Sequence, residues 1–220
     1  MESRWRRFLR RVDDYGNDET RDPFTHSSAY HRNFQGYAEW RTPRKSGRGH
    51  SIQRLYVADY YKYSESDNIW RLKKFAYTLM FLMMATVSLA SDSLPTATNQ
   101  IPVIDILQML SLITMIWVLY RLIMQVSSPR RMTIGEHESA SEGLKRATFA
   151  CSWLMLAVAV VTPVGTLIVF HSLEAYDLLT TGLKLVGAAL SFGLHFAEKA
   201  RKTDRVPNPV SAPVGANEIW

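Results

Sequence analysis

One cysteine, Cys151, stands among 220 residues, so no disulfide can form within the chain. Its place in an apolar run reads as a small buried filler. The signatures of membrane-bound enzymes are missing as well. No HExxH zinc motif, no GxSxG nucleophile elbow and no Gly-rich dinucleotide fingerprint occurs. SGRGHS, residues 46–51, has glycines but neither the spacing nor the Lys-Ser/Thr ending of a phosphate loop. In GEHES, His137 sits between two glutamates with no further ligand type nearby, which suits a solvated turn better than a metal site. The expectation is therefore no enzyme, no cofactor and no metal. No secretory signal opens the sequence, and the first long apolar run, starting near Phe75, is expected to act as a retained anchor. Two further absences are more informative. The stretches SDSLPTATNQ (91–100) and LEAYD (173–177) contain no lysine or arginine, and residues 147–172 contain no formal charge at all. A helix of that kind has no polar face for water, which excludes a soluble amphipathic helix there.

What is present divides into two compositions. Residues 1–74 carry 16 of the 26 Lys+Arg and 10 of the 20 Asp+Glu, whereas 75–197 is built from apolar blocks. Four of these blocks read as spans: 75–91, 101–126, 147–172 and 178–197. At about 1.5 Å per residue the last three reach roughly 30 Å, the thickness of a hydrocarbon core. The connection 127–146 contains Arg130, Arg131, Lys145 and Arg146, and the segment 198–205 contains Lys199, Arg201, Lys202 and Arg205. Positive charge is retained on the cytoplasmic side. The expected fold is an all-α membrane protein, a four-transmembrane-helix bundle with both termini in the cytoplasm. A small basic cytoplasmic region (1–74) would precede it and a basic, then disordered, tail (198–220) would follow.

Ionisable groups inside a bilayer are costly and mark either structural locks or pathways. Arg121 and His195 lie near the inner ends of their spans, where long or amphipathic side chains reach the interface. Asp105 lies roughly 6 Å below the outer end of the second span, and Lys184 roughly 10 Å below Asp177 in the fourth. Their charged heads are expected at similar depth, so Lys184 is expected to pair with Asp105 or with the outer acids. Asp177, Thr180, Thr181, Lys184, Gly187, Ala188, Ser191 and His195 recur at helical spacing and form one small-and-polar stripe, with Gln108 accompanying Asp105 on its own helix. Such a stripe can lock a bundle by close helix approach, or it can line a path for an ion or small solute. Pro163 and Gly165 are expected to kink the third span.

Residues 4–12 read RWRRFLRRV. On a helix over 3–13, Trp5, Phe8, Leu9 and Val12 share one arc, and Arg4, Arg6, Arg7, Arg10 and Arg11 fill the rest. Next to an anionic leaflet this is an interfacial helix binding lipid headgroups, with each arginine adding on the order of 1 kcal/mol. QGYAEWRT (35–42) and HSIQRLYVADYYKY (50–63) have strand-like content around PRKSGRG, which reads as a β-hairpin over 35–63 with a basic tip. Two strands alone are marginal in water, so the hairpin should rest on the membrane face, on the 127–146 connection or on another subunit. Interleaved Arg and Tyr could stack on nucleic acid, but attachment to a membrane argues against that partner. Three prolines after Arg205 make the tail read as disordered.

SIQRLYVADYYKY, PRRMTIGEHESASEGLKR and EKARKTDRVPN together resemble a group of uncharacterised four-span membrane proteins of Gram-positive bacteria. The resemblance covers roughly residues 30–208 and implies a bacterial inner-membrane location and an inner-face topology, with no activity attached. Taken together, the expectation is a non-enzymatic structural, regulatory or accessory subunit in the plasma membrane, as a homo-oligomer or beside other membrane subunits. The alternative is a small oligomeric transporter or channel using Asp105 and Lys184. For the opening helix, a peptide of residues 2–16 should bind vesicles containing anionic lipid, bind less as salt rises, and bind neutral vesicles weakly. Equal binding to neutral vesicles, measured by tryptophan emission, would refute that reading.

Overall fold

The structure, a computed structural model, describes residues 34–43, 50–96, 101–213 and 216–219. The helix expected over 3–13, with the lipid-binding residues assigned to it, and the hairpin tip at 44–49 lie outside the described residues. The chain divides into two compact units. One contains residues up to Tyr61 together with Thr133–Gly135 and Arg205–Trp220; the other contains Lys62–Met132 and Glu136–Asp204.

The second unit is a four-span membrane helix bundle. Its helices are α1 (Asp67–Asp92), α2 (Pro102–Ser127), α3 (Ile134–Phe170) and α4 (Ala175–Lys199), each long and apolar enough to cross a bilayer. Helix α4 packs on α3 and α1, and α2 packs mainly on α3, while α1 and α2 touch sparsely. The outside of the bundle is greasy: Ile113, Ile116, Ile123, Ile168, Leu178 and Phe196 are all exposed. The inside mixes Phe81, Met84, Val118, Leu144, Met155 and Leu194 with small and polar groups. That inversion is what a hydrocarbon solvent requires, because lipid tails satisfy apolar surface and only the interior can satisfy polar atoms.

Helix ends differ from the sequence reading in ways the side chains explain. Helix α1 starts at Asp67, eight residues before the expected 75, so DNIWRLKK forms its first turns. The Lys74 Nζ donates to the carbonyls of Val126 (2.7 Å) and Ser128 (2.8 Å) and lies 3.7 Å from the Trp70 ring centroid. It thereby satisfies the carbonyls left free at the negative end of α2. Lys73 pairs with Glu65. GEHES is helical rather than a turn, with Glu136 and Glu138 exposed: Ile134–His137 is α-helical and Glu138–Glu142 forms a π-helical turn that runs into Gly143–Phe170. The wider turn buries Ala140 and Ser141. Arg121 passes beside it, donating from Nη1 to the Ser139 carbonyl at 3.0 Å. Gly143 makes room for this, since a Cβ there would stand 2.9 Å from the Arg121 Cδ. Pro163 lies inside α3, and the helix runs through it without a break.

The first unit contains the expected hairpin. Strands β1 (Tyr37–Pro43) and β2 (His50–Tyr56) pair antiparallel, with Tyr37 opposite Tyr56 and Thr42 opposite Ser51. The run 50–63, read as one strand, splits after Tyr56. Val57 and Ala58 both donate their N–H to the Gly36 carbonyl, and β3 (Tyr60–Tyr63) starts anew. Gly36 has φ +82°, and a Cβ on it would lie 2.7 Å from that of Ala58. The hairpin gains support within its own unit: the Ile134 N–H donates to the Tyr56 hydroxyl at 3.1 Å, so the 127–146 connection supplies one of the rests anticipated. The tail supplies another. Disorder was expected after Arg205, yet β6 (Asn217–Ile219) pairs antiparallel with β1 and completes the sheet β2-β1-β6. The physical reason is the open edge of β1, whose unpaired backbone groups a third strand can satisfy. A second sheet has the order β4-β3-β5, with β4 at Arg131–Met132 and β5 at Thr203–Val206.

Close packing at Gly143 and open space at Gly182 make opposite predictions. Gly143→Leu must displace the Arg121 side chain and should lower the melting temperature of the detergent-solubilised protein by several degrees. Gly182→Ala meets nothing within 4 Å and should leave it unchanged or raise it slightly, since alanine favours the helix by about 1 kcal/mol.

Candidate functional site: charged networks at the two ends of the bundle

Lys184 is fully buried in α4. Its ammonium meets the Asp92 Oδ1 at 2.6 Å and reaches the Ser88 hydroxyl at 3.4 Å. Asp92 ends α1, so the partner is one of the outer acids. Asp105 is not: it is exposed in the first turn of α2. The register of α2 accounts for this correction. Its buried face runs through Ile104, Gln108, Ser111, Met115, Val118, Leu122 and Gln125, and Asp105 lies about 100° away from Ile104. Its carboxylate stays at the positive end of the helix dipole.

The stripe on α4 is interior, as its spacing implied. Asp177, Thr180, Lys184, Gly187, Ala188 and Ser191 are buried, while Thr181 and His195 are half-buried. Ser191 Oγ donates to the Thr148 carbonyl at 2.9 Å and thereby ties α4 to α3. His195 Nδ1 meets the Lys145 carbonyl at 3.0 Å, four residues before the end of α4. Gln108 is buried, as its stripe suggested, but sits on its own helix without Asp105 beside it. In the half of the bundle that holds Lys184 several buried polar atoms have no protein partner among the described residues, among them Gln108 Nε2, Ser111 Oγ, Thr162 Oγ1 and Thr180 Oγ1.

A second network, at the basic end, escaped sequence reasoning. Glu198 is 1% exposed and carries a carboxylate gripped from every side. Its Oε1 accepts from Ser141 Oγ (2.6 Å), the Tyr63 hydroxyl (3.0 Å) and Gln125 Nε2 (3.2 Å). Its Oε2 accepts from Arg201 Nη1 (3.1 Å). Gln125 also donates to the Tyr63 hydroxyl at 2.9 Å. The Arg201 guanidinium lies 3.6 Å from the Tyr63 ring centroid and reaches Glu65 at 3.4 Å. Strand β3, α2, the π turn of α3 and the end of α4 thus converge on one carboxylate. The π turn is what aims Ser141 at it, and π turns recur where helices carry special sites.

The charges set the titration of their neighbours. Burial pushes the Tyr63 hydroxyl up, and the Glu198 carboxylate adds to that, to about 12. Burial alone would raise the Glu65 carboxyl, but the hydrogen bond from Lys73 and the charge of Arg201 outweigh it and hold it below its ordinary value. Burial likewise opposes the charge on Arg201, and Glu198, Tyr63, Tyr77 and Glu65 together more than offset it. Among the described residues no three His, Cys, Asp or Glu side chains converge as a metal set would require. The arrangement is chemically a fixed, charge-neutralised clasp.

One signal in the sequence pointed here. The α4 stripe continues from Ser191 through Leu194 to Glu198 at steps of three and four, so Glu198 belongs to the same face as Lys184. Nothing in the sequence announced that Tyr63, Gln125 and Ser141, from three distant segments, would meet it. No protein-family model, curated protein or solved structure matches the chain.

Two consequences can be measured. Glu198→Ala leaves buried Arg201 with Glu65 as its remaining acid and should cost about 3 kcal/mol of stability, whereas Tyr63→Phe should cost about 1 kcal/mol. Tyr63 has a folded-state pKa above its unfolded value of 10, so its contribution is complete below pH 10 and is lost as pH rises toward 12. The melting temperature of the wild type should therefore fall more steeply than that of Tyr63→Phe across this window. Parallel curves would contradict the network.

Proposed function

We propose that this four-span membrane protein is a non-enzymatic structural, regulatory or accessory subunit of a membrane complex. In this reading it sits in the plasma membrane, as a bacterial inner-membrane protein with both termini cytoplasmic. The orientation rests on charge: both short turns between spans at one end of the bundle lack Lys and Arg, and the connection and tail at the other end are rich in them. This reading also takes up the resemblance of the three motifs, SIQRLYVADYYKY, PRRMTIGEHESASEGLKR and EKARKTDRVPN, to four-span proteins of Gram-positive bacteria.

The observation that carries the accessory role is how the interior charges are held. Lys184 and Glu198 lie 14 residues apart on α4, about 21 Å along its axis. Each is closed by fixed partners, and between them Met84, Cys151, Met155 and Leu194 are buried without solvent contact. A solute path needs groups that exchange partners along a continuous polar line. Here the buried polar groups between the two charges, such as Ser191 and Ser152, are held on the Thr148 carbonyl amid this packed hydrocarbon, and Asp105, the supposed second charge, is exposed. The transporter reading keeps one support, the unpartnered polar atoms of the outer half.

Lys184→Met separates the two. In proteoliposomes with pH- and potential-sensitive dyes, wild type and variant should both show the ion permeability of protein-free vesicles. The variant should also melt earlier, with a loss of up to about 3 kcal/mol from the orphaned Asp92. A protein-dependent flux in the wild type, abolished in a folded Lys184→Met, would replace the accessory role with transport.

A further inference from the structure

A pocket of about 410 Å³ opens at the basic end of the helical unit, between α3 and α4, lined by Glu142, Lys145, Arg146, Phe149, His195 and Lys199. Three cations and one carboxylate give it a formal charge of +2, with histidine neutral. Glu142 is already engaged by Lys145. Arg146 and Lys199 are exposed, and among the described residues no acid pairs with either. His195 fixes the wall, held by the Lys145 carbonyl and 5.3 Å from the Phe149 ring.

The pocket floor continues into an aromatic surface. Phe149 meets Trp153 and Phe192 edge-on at 6.1 and 6.5 Å, and Phe192 stacks on Phe196 at 6.2 Å. Phe149, Trp153 and Phe196 are 47, 53 and 58% exposed on the face that meets lipid. Trp153 lies two turns, about 12 Å, deeper than Lys145. Unpaired cations at the helix ends therefore sit directly above an apolar, aromatic track pointing into the hydrocarbon.

We propose that this pocket binds the phosphate of an anionic phospholipid, with Arg146 and Lys199 holding the headgroup and an acyl chain lying along Phe149, Trp153 and Phe196. A free phosphate would use the cations and leave the track uncovered, whereas a phospholipid uses both. Basic pockets between spans at the interface suit such headgroups, and arginine pairs phosphate oxygens bidentately. This site is independent of the accessory role and of the expected N-terminal helix.

The full chain is placed in nanodiscs of phosphatidylcholine in which either that lipid or phosphatidylglycerol carries bromine on its acyl chains. Quenching of Trp153 is taken as the difference between wild type and Trp153→Phe. Brominated phosphatidylglycerol should be preferred by about tenfold in apparent affinity. The preference should fall to near parity in Arg146→Gln/Lys199→Gln, whose exposed positions leave the melting temperature unchanged, and return in Arg146→Lys/Lys199→Arg. Parity of the two lipids in the wild type overturns the proposal, as does a preference that survives the double substitution. Binding of inorganic phosphate that displaces no lipid quenching would assign the pocket to the free anion and overturn the lipid.

Discussion

Everything inside this bundle is governed by one constraint: a charge taken into hydrocarbon must bring its counter-charge and its hydrogen bonds with it. The chain supplies the counter-charge at both ends of α4, leaving the Asp92 Oδ2 and the Arg201 Nε without a hydrogen bond among the described residues. Toward the short turns, Lys184 is neutralised by Asp92 from the far end of α1. Toward the basic segments, Glu198 is neutralised by Arg201, three residues further on, and wrapped by Ser141, Tyr63 and Gln125. The two solutions differ in kind. The first joins two helices through one ion pair, while the second draws four segments onto one carboxylate. Because a polar group left alone in lipid costs several kcal/mol, each pair also selects one helix arrangement over its neighbours in register.

The same constraint decides which contacts are local and which are distant. Sequence-adjacent α1 and α2 touch little, whereas α1 and α4, the first and last spans, are joined by Lys184–Asp92 and by Ser91 Oγ on the Thr180 carbonyl. Apolar side chains cannot enforce that neighbourhood, since lipid tails are as good a solvent for them as another helix. Polar contacts and close approaches can. Gly143 admits Arg121, and Gly187 admits the Met155 sulfur, 3.1 Å from where a Cβ would stand.

How much of this could be read from the residues follows from what sets each feature. The four spans were legible because length and apolarity alone define them, and the α4 stripe because a period of three and four residues survives in any helix. The Lys184 pairing was half legible. Depth narrowed the partner to the outer acids, but depth says nothing about rotation, and Asp105 fell on the wrong face by one residue. The hairpin was legible from its strands and punctuation; the third strand at Asn217–Ile219 was not, because three prolines mask a short segment whose pairing is dictated by an open edge elsewhere. The Glu198 clasp was the least accessible. Its members come from positions 63, 125, 141, 198 and 201, and one of them is aimed by a π turn that no periodicity announces.

That last point bears on why the connection between α2 and α3 is built as it is. A fully α-helical entry to α3 would rotate its first turns relative to the rest, and one extra residue in a turn is the smallest change that re-aims a side chain without ending the helix. In the π turn Glu138–Glu142, Ser139 gives its carbonyl to Arg121 and Ser141 gives its hydroxyl to Glu198. Two neighbours in sequence thus serve α2 and α4 at once. The π turn makes part of a connection, read from the sequence as a solvated turn, into the joint where α2 and α4 are locked. Arg146 and Lys199, left outside that joint, face the interface instead. Interior ions settled among themselves and surplus cations turned outward are two results of the same accounting of charge across the lipid boundary.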